Sequence, residues 1–561
     1  MKKAVLLLSL AALLAASCNK NITDDPQEDI ADYTVIFWGM CGANDYGVAA
    51  DLITVAENYV TGRTSDNVQI AGLVKTSVNL SDPDAVDFDK TYYFESGDTA
   101  GKTLDWNQID SEDVIDLYNN AFRILDGQAY ADTSYPLNNV DNLAGFIQKV
   151  AKEHPAHNYV LMLLGHGGGF SPAEETPLSK ACLYDNYRDS EYLTADAVVK
   201  AVSKSGVKIQ TVFTQCCLMA TLENIAAYSQ AFDYGILAAE VTYSYYFPEY
   251  LVKLSAAGND EQRMQAASRE LVDYYVSTLS KDPTAYSTHG FYDLTKTSQL
   301  LSVVKDIASW YAGNFPELGT QIEDAVSKTI FCNNLEASDD TEALRNERKF
   351  IQTIMYGDEE ALSAMLSGMT FEEFMMGISQ TMAELLNHSI SYGFPLAHLL
   401  SVTPAEIESV ASSTQKSNLK SLTDKYMQIL KEMAYIRANP VPSGADDDYE
   451  YLYCSPTVNI FAMNEEYFIP LFGRNPEESK SKFIEAVNNQ DMETAGQLLD
   501  ELFGGSPFAN YVTLEQARTN YTSSVFDQEV GWSAFLKLLG MNPSVLYNPD
   551  RLQINEEVYG M

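Results

Sequence analysis

The chain is short of positive charge and of cysteine, and both shortages limit what it can do. Its 561 residues include 36 lysines and arginines against 78 aspartates and glutamates, a formal net charge of −42. Such a charge argues against nucleic acids and anionic lipid surfaces as partners. The seven cysteines are irregularly spaced and form no CxxC pair, so neither a zinc site nor a dense disulfide framework is indicated.

Long apolar runs are also absent after the N-terminus, so we predict no membrane-spanning helix in the rest of the chain. Met1-Lys2-Lys3 is followed by an apolar run, 4–16, that is too short to span a bilayer. Small residues then precede Cys18, which resembles a bacterial lipoprotein signal. The resemblance implies cleavage before Cys18 and acylation of its thiol. The alternative is an ordinary secretory signal with an incidental cysteine.

A lipid anchor would fix where the protein works. The mature chain would be exported and tethered to the bacterial cell envelope, with the outer membrane as the expected site and surface exposure left open. The lipid on Cys18 would then be its sole contact with the membrane.

Composition and pattern divide the chain into six parts. Acidic and polar residues follow Cys18, alternating strands and helices come next, and a largely helical stretch and a proline-rich linker precede the end. The predicted parts are a signal peptide (1–17), an acidic flexible stalk (18–32), an α/β core (33–298), a helical region (299–438), a linker (439–449) and a C-terminal portion that completes the core (450–561).

Two short apolar runs, 159–164 and 209–213, are typical of buried strands. A helix through Val202, which Thr194 would cap, separates them. Strands interleaved with helices in this way predict βαβ units and a mostly parallel sheet flanked by helices, the α/β class.

Chemically reactive residues come directly after both runs. The first run ends in Gly165-His166-Gly167, and the second ends in Gln215-Cys216-Cys217. Because chemistry collects at the carboxyl ends of parallel strands, we expect an imidazole and a thiol to meet at one edge of the sheet. They would act as a thiolate nucleophile and its general acid/base. We also predict a helix directly after the cysteines, whose N-terminus would favour the ionised thiol.

The same two blocks carry a family resemblance. Residues 158–169 and 211–223 resemble the two catalytic blocks of the clostripain-like cysteine peptidases, which are caspase-like, and weaker similarities extend over most of 33–540. The resemblance implies a caspase-like, mostly parallel sheet flanked by helices, with a large helical insertion and a C-terminal α/β portion. It also implies a hydrolase that cleaves peptide or protein substrates.

Residue by residue, the resemblance makes Cys217 the nucleophile and His166 the general acid/base. The backbone amides of Gly167 and Cys217 would stabilise the oxyanion. A buried cysteine and a turn histidine without chemistry are the alternative. A second functional hypothesis is a binding lipoprotein on a peptidase scaffold with weakened catalysis, which the change at Gln215 and the 35 tyrosines would suit.

Gln215 is the main departure from the family pattern. The family has an aspartate here, which helps it select arginine or lysine before the scissile bond. Glutamine can donate and accept hydrogen bonds but supplies no negative charge, so we predict relaxed or different specificity. Its neighbour Cys216 is expected to face into the sheet, because successive strand residues face opposite sides.

Two loops between the blocks offer regulatory hypotheses. Lys180 is a candidate for the activating cleavage that the resemblance implies between the histidine and the cysteine, although a plain surface loop explains it equally well. Asp185, Asp189 and Glu191 form an acidic loop that could bind calcium, but their spacing fits no EF-hand and a solvated loop is the simpler interpretation. The predicted chemistry itself requires no cofactor.

Overall fold

The computed structural model describes residues 30–41, 67–78, 88–95, 136–167, 169–170, 183–184, 192–240, 242, 247–279, 287–330, 393–439, 441, 443–459 and 521–539. Twelve strands lie in these ranges. They are β1 (Ala31–Cys41), β2 (Val68–Val78), β3 (Phe88–Glu95), β4 (Ala156–Gly165), β5 (Leu183–Tyr184), β6 (Tyr192–Leu193), β7 (Thr211–Gln215), β8 (Tyr234–Leu237), β9 (Ser287–Asp293), β10 (Gly393–Pro395), β11 (Ala434–Asn439) and β12 (Thr457–Asn459).

Eight of these strands form one central sheet in the order β11-β9-β8-β7-β4-β1-β2-β3. The five strands from β8 to β2 run parallel, while β3 pairs antiparallel with β2, and β9 pairs antiparallel with both β8 and β11. The α/β class and the mostly parallel sheet are therefore confirmed. Two short antiparallel pairs, β5 with β6 and β10 with β12, stand apart from this sheet.

The described helices are α1 (Val140–Glu153), α2 (Ala195–Ser205), α3 (Leu222–Tyr228), α4 (Phe247–Ala257), α5 (Glu261–Leu279), α6 (Thr297–Ser327), α7 (Leu396–Ile407), α8 (Ser413–Met433), α9 (Tyr449–Tyr453), α10 (Val525–Val530) and α11 (Trp532–Leu538). Local sequence explains several of their ends. Thr194 caps α2 by accepting from the Ala197 amide, and Gly206, in the left-handed conformation (φ 67°), ends it. Within the described residues, none of the helices is both long and apolar enough to span a bilayer.

The strands at the centre of the sheet are buried on both faces, which is why they are apolar throughout. Every side chain of β7 is buried, as are those of β4 from Val160 onward. Alternate residues such as Leu163 and Val212 belong to one large apolar cluster, shared with α1, α2, α3 and α6. On the other face Phe213 contacts Tyr250 of α4, with ring centroids 5.6 Å apart.

Residues 299–438 are less uniformly helical than predicted. They contain β10 and all but the last residue of β11, which forms one edge of the central sheet by pairing with β9. Along β11, Ala434, Ile436 and Ala438 are buried and the residues between them are half-buried, an alternation that suits a strand with one covered face. The strand is hard to distinguish in the sequence, because α8 ends at Met433 and β11 begins at the next residue.

Candidate active site

The ends of β4 and β7 lie side by side at the centre of the sheet. The two strands are parallel neighbours, and their register aligns Leu164 with Gln215. His166 and Cys217 follow these paired residues at the same interval, two positions later. Both therefore leave the sheet at its carboxyl edge, where each is half-buried.

Gly167 brings the two chain segments into direct contact. A Cβ atom at this position would stand 2.2 Å from the Cys217 carbonyl oxygen and 2.7 Å from the Cys217 nitrogen. Any side chain would collide with backbone, so the close approach of the histidine segment to the cysteine requires glycine. The backbones that carry His166 and Cys217 are thus packed against each other.

The chain turns back immediately after Cys217 and forms no helix there. Leu218 has a positive φ of 63°, a conformation that does not propagate a right-handed helix. Helix α3 begins only at Leu222, with Thr221 as its N-cap. The prediction of a helix N-terminus at the thiol is therefore wrong, because residues 218–220 bond to the segment that follows β8 and to the start of β12 instead.

Backbone hydrogen bonds hold this turn on two sides. The Leu218 amide donates to the Glu240 carbonyl (3.0 Å), and the Ala220 amide donates to the Ala238 carbonyl (2.7 Å). On the other side the Thr457 amide donates to the Ala220 carbonyl (3.0 Å), so the start of β12 also supports the turn. Leu218 can keep its unfavourable backbone conformation because these contacts fix it.

Three atoms of Thr242 lie close to the sulfur of Cys217. Its backbone amide donates to Sγ at 3.3 Å, its hydroxyl Oγ1 lies 3.6 Å from Sγ, and its carbonyl oxygen can accept from the thiol at 3.9 Å. No local sequence pattern marks Thr242, which lies 25 residues from Cys217, as part of the site.

Cys216 and Gln215 lie on opposite faces of the sheet. Cys216 is fully buried in the large apolar cluster, and its Sγ lies 3.6 Å from the Leu163 carbonyl oxygen. Both Cys216 and Cys217 are thiols. Gln215 lies on the same face as Phe213 and is only 4% exposed. Among the described residues, its Oε1 atom has no hydrogen-bond partner. The position is therefore a buried neutral amide with unused acceptor capacity.

The layer beneath β7 contains a second histidine, which is unlike His166. The His289 ring is fully buried, 6.1 Å from the Phe213 ring and 5.0 Å from that of Tyr275. Burial lowers the pKa of His289 to about 3, so its imidazole is neutral at ordinary pH. A neutral imidazole sealed inside the core serves packing.

Tyr521 links the C-terminal segment to both sides of the site. Its hydroxyl donates to Glu223 on α3 (3.2 Å), and its ring meets that of Phe170, just beyond His166, at 5.8 Å. Burial, and then the charge of Glu223, raise the pKa of Tyr521 well above its usual value. Nothing in the sequence pattern could join residues 298 positions apart.

Several predicted site residues lie outside the described residues. These are Cys18, Lys180, Asp185, Asp189 and Glu191. In the part of the chain that the structure describes, no three histidine, cysteine or acidic side chains converge on a point that could hold a metal ion.

Comparison with known proteins gives different results for curated proteins and for solved structures. No curated protein matches it. Among solved structures, it is similar to a secreted C11 cysteine protease from Bacteroides thetaiotaomicron, "iotapain" (16% identity, 50% of this chain and 70% of that one, TM-score 0.35). It is also similar to an inactive zymogen C11 protease from Parabacteroides distasonis (11% identity, 76% and 93% of the chains, TM-score 0.38).

A family model gives the more specific match. The model of the clostripain family aligns with residues 108–372, a range that contains both His166 and Cys217. The resemblance carried by the two catalytic blocks is thereby confirmed. Residues 108–372, somewhat less than half of the chain, thus match the clostripain family of cysteine peptidases.

Proposed function

We propose that the protein is a lipid-anchored endopeptidase that cleaves peptide bonds through Cys217 and His166. One observation supports this most strongly: the backbone of Gly167 packs against the backbone of Cys217, so the imidazole and the thiol leave neighbouring parallel strands at the same edge. A nucleophile and its base must come within hydrogen-bonding reach of one carbonyl group, and this packing supports that requirement.

In the proposed reaction, His166 takes the proton of the Cys217 thiol and the thiolate attacks the scissile carbonyl carbon. The carbonyl electron pair moves onto oxygen, where the amides of Gly167 and Cys217 would stabilise the negative charge. His166 then protonates the leaving amine as the C–N bond breaks, which leaves a thioester on Cys217. Water, deprotonated by His166, hydrolyses the thioester and restores the thiol.

The proposed nucleophile can be tested by labelling. An acyloxymethyl ketone peptide should modify the wild type and Cys216→Ala equally, but not Cys217→Ala. The neighbouring cysteine is the matched control, because Cys216 is fully buried within the apolar cluster whereas Cys217 is only half-buried. His166→Ala should lower labelling and peptide cleavage together. An intact fold that is labelled at neither cysteine would instead favour a binding protein.

We further propose that Gln215 relaxes the preference for basic residues. A buried amide can bind a polar side chain but cannot balance a positive charge. Peptides with lysine or norleucine before the scissile bond should therefore be cleaved at similar rates. Gln215→Asp should raise the lysine preference, and strong lysine selectivity in the wild type would refute the proposal.

The proposed lipid anchor, activating cleavage and calcium site can each be tested separately. Cys18→Ser should move the exported protein from the detergent phase to the aqueous phase in phase partitioning, and unchanged partitioning would exclude acylation at Cys18.

Lys180→Ala should block any cleavage in the loop between His166 and Cys217. Chelation of calcium should lower activity if the loop of Asp185, Asp189 and Glu191 binds that ion, since carboxylates are its usual ligands.

A further inference from the structure

The sulfur of Cys217 lacks the helix N-terminus that would have favoured its ionised form, because α3 begins five residues later. Three atoms of Thr242 occupy its surroundings instead. Two of these, the amide and the hydroxyl, can donate hydrogen bonds, and one, the carbonyl, can only accept.

We propose that Thr242 is a further residue of the catalytic centre, which holds the Cys217 sulfur in place and favours its thiolate. The inference rests on the proposed function in one respect only, which is that the Cys217 thiolate acts as the nucleophile. The contacts themselves concern a single sulfur atom and can be tested without any substrate.

The two protonation states of the sulfur would use different atoms of Thr242. The neutral thiol can donate to the carbonyl oxygen, 3.9 Å away. The thiolate has no proton to donate, but it can accept from the amide at 3.3 Å and from the hydroxyl at 3.6 Å. Hydrogen bonds to a charged group are stronger than those between neutral groups, so this set of contacts favours the thiolate.

The described backbone that precedes Thr242 is held by hydrogen bonds. Residues 218–220 run antiparallel to residues 238–240, with the hydrogen bonds from Leu218 to Glu240 and from Ala220 to Ala238. The Glu240 amide also donates to the hydroxyl of Thr288 at 3.1 Å. Continuing this register by two residues brings Thr242 to the turn that carries the sulfur. The donors therefore stand ready before substrate binds, as preorganised stabilisation of a charge requires.

The hydroxyl contribution can be isolated with Thr242→Val and Thr242→Ser. We would measure the rate of iodoacetamide alkylation of Cys217 against pH, in a Cys216→Ala background. Loss of the hydroxyl in Thr242→Val should raise the pH midpoint of alkylation by about 0.5 to 1 unit, while Thr242→Ser should stay close to the wild type. The amide remains in both variants, which limits the shift.

Thr214→Val is the matched control. Thr214 is a buried threonine of β7 whose hydroxyl is directed to the Ile236 carbonyl oxygen at 3.5 Å, so its loss should leave the midpoint unchanged. Peptide cleavage by Thr242→Val should show a lower kcat at neutral pH with little change in KM. Thermal unfolding would confirm that each variant is folded, and Thr242→Ala, which also lacks the hydroxyl, would replace Thr242→Val if that variant is not.

The outcomes separate this inference from the proposed function. Equal midpoints in Thr242→Val and the wild type would overturn the role of Thr242, whether or not the protein cleaves peptides. A shifted midpoint in a protein that cleaves no peptide would support the role of Thr242 and remove the proposed function.

Discussion

The segments that follow β7 and β4 are held in different ways, although they meet at the same edge. The turn after Cys217 is fixed by main-chain hydrogen bonds from Leu218 and Ala220 to the β8 side and by one from Thr457. In the described residues after His166, two packing contacts hold the chain. Gly167 lies against the Cys217 backbone, and the Phe170 ring packs against the Tyr521 ring.

This difference separates two ways of positioning a reactive side chain. Hydrogen bonds between main-chain atoms depend little on which side chains are present, so the cysteine side should tolerate many substitutions. Packing contacts depend on the size of every atom involved, so the histidine side should be sensitive to the addition of a single carbon. The comparison predicts where the smallest change has the largest effect.

Gly167→Ala should have the largest effect on activity. Its Cβ would lie 2.2 Å from the Cys217 carbonyl oxygen, and because both partners are backbone, the histidine and cysteine segments must move apart. A displacement of about 1 Å at reacting groups can cost roughly a hundredfold in rate, so we expect kcat/KM to fall by about that factor or more. Peptide cleavage and thermal unfolding would be measured together.

Gly145→Ala is the control for this substitution. Gly145 lies on the exposed face of α1, where an added Cβ would meet no atom within 4 Å. Alanine should there stabilise the helix by about 0.5 to 1 kcal/mol and leave activity unchanged. Full activity in Gly167→Ala would show that the two segments do not depend on this contact.

The same contrast explains what the sequence could predict. The apolar runs of β4 and β7 identify two buried strands, and their order in a parallel sheet is enough to bring His166 and Cys217 to one edge. These are properties of short, continuous segments. The left-handed turn at Leu218 and the contacts of Thr242 depend on pairing between distant segments, which no local pattern records.

Acid should destabilise the layer beneath the cysteine strand, through His289. Its pKa in the folded protein is about 3, below the value of about 6.5 expected in the unfolded chain. As the pH falls below about 6.5, the unfolded state binds a proton that the folded state does not, and stability falls by about 1.4 kcal/mol per pH unit until pH 3 is approached. Above about 6.5 this contribution is complete.

His289→Phe should flatten this acid-side loss. Phenylalanine keeps a ring between Phe213 and Tyr275 but has no proton to bind. The free energy of unfolding, measured by denaturant between pH 7 and pH 4.5, should fall by roughly 3 kcal/mol less in the variant than in the wild type. His398, whose pKa burial lowers to about 4, should preserve part of the slope in both. Parallel pH profiles for the two proteins would contradict the buried, neutral state of His289.

Tyr521→Phe should have the smallest effect, because it removes only one of the two links that this residue makes. The ring and its contact with Phe170 remain, while Glu223 loses a donor at 3.2 Å. A hydrogen bond to a charged group contributes about 1.5 to 3 kcal/mol, so unfolding should become easier by about that amount, and kcat should change by less than about threefold. Tyr311→Phe is the matched control, because it removes an equally buried hydroxyl, bonded to Thr403 at 2.8 Å, away from α3. If Tyr521→Phe lowered kcat tenfold at equal stability, the cysteine side would depend on this distant side chain, and the contrast between main-chain and packing control would no longer hold.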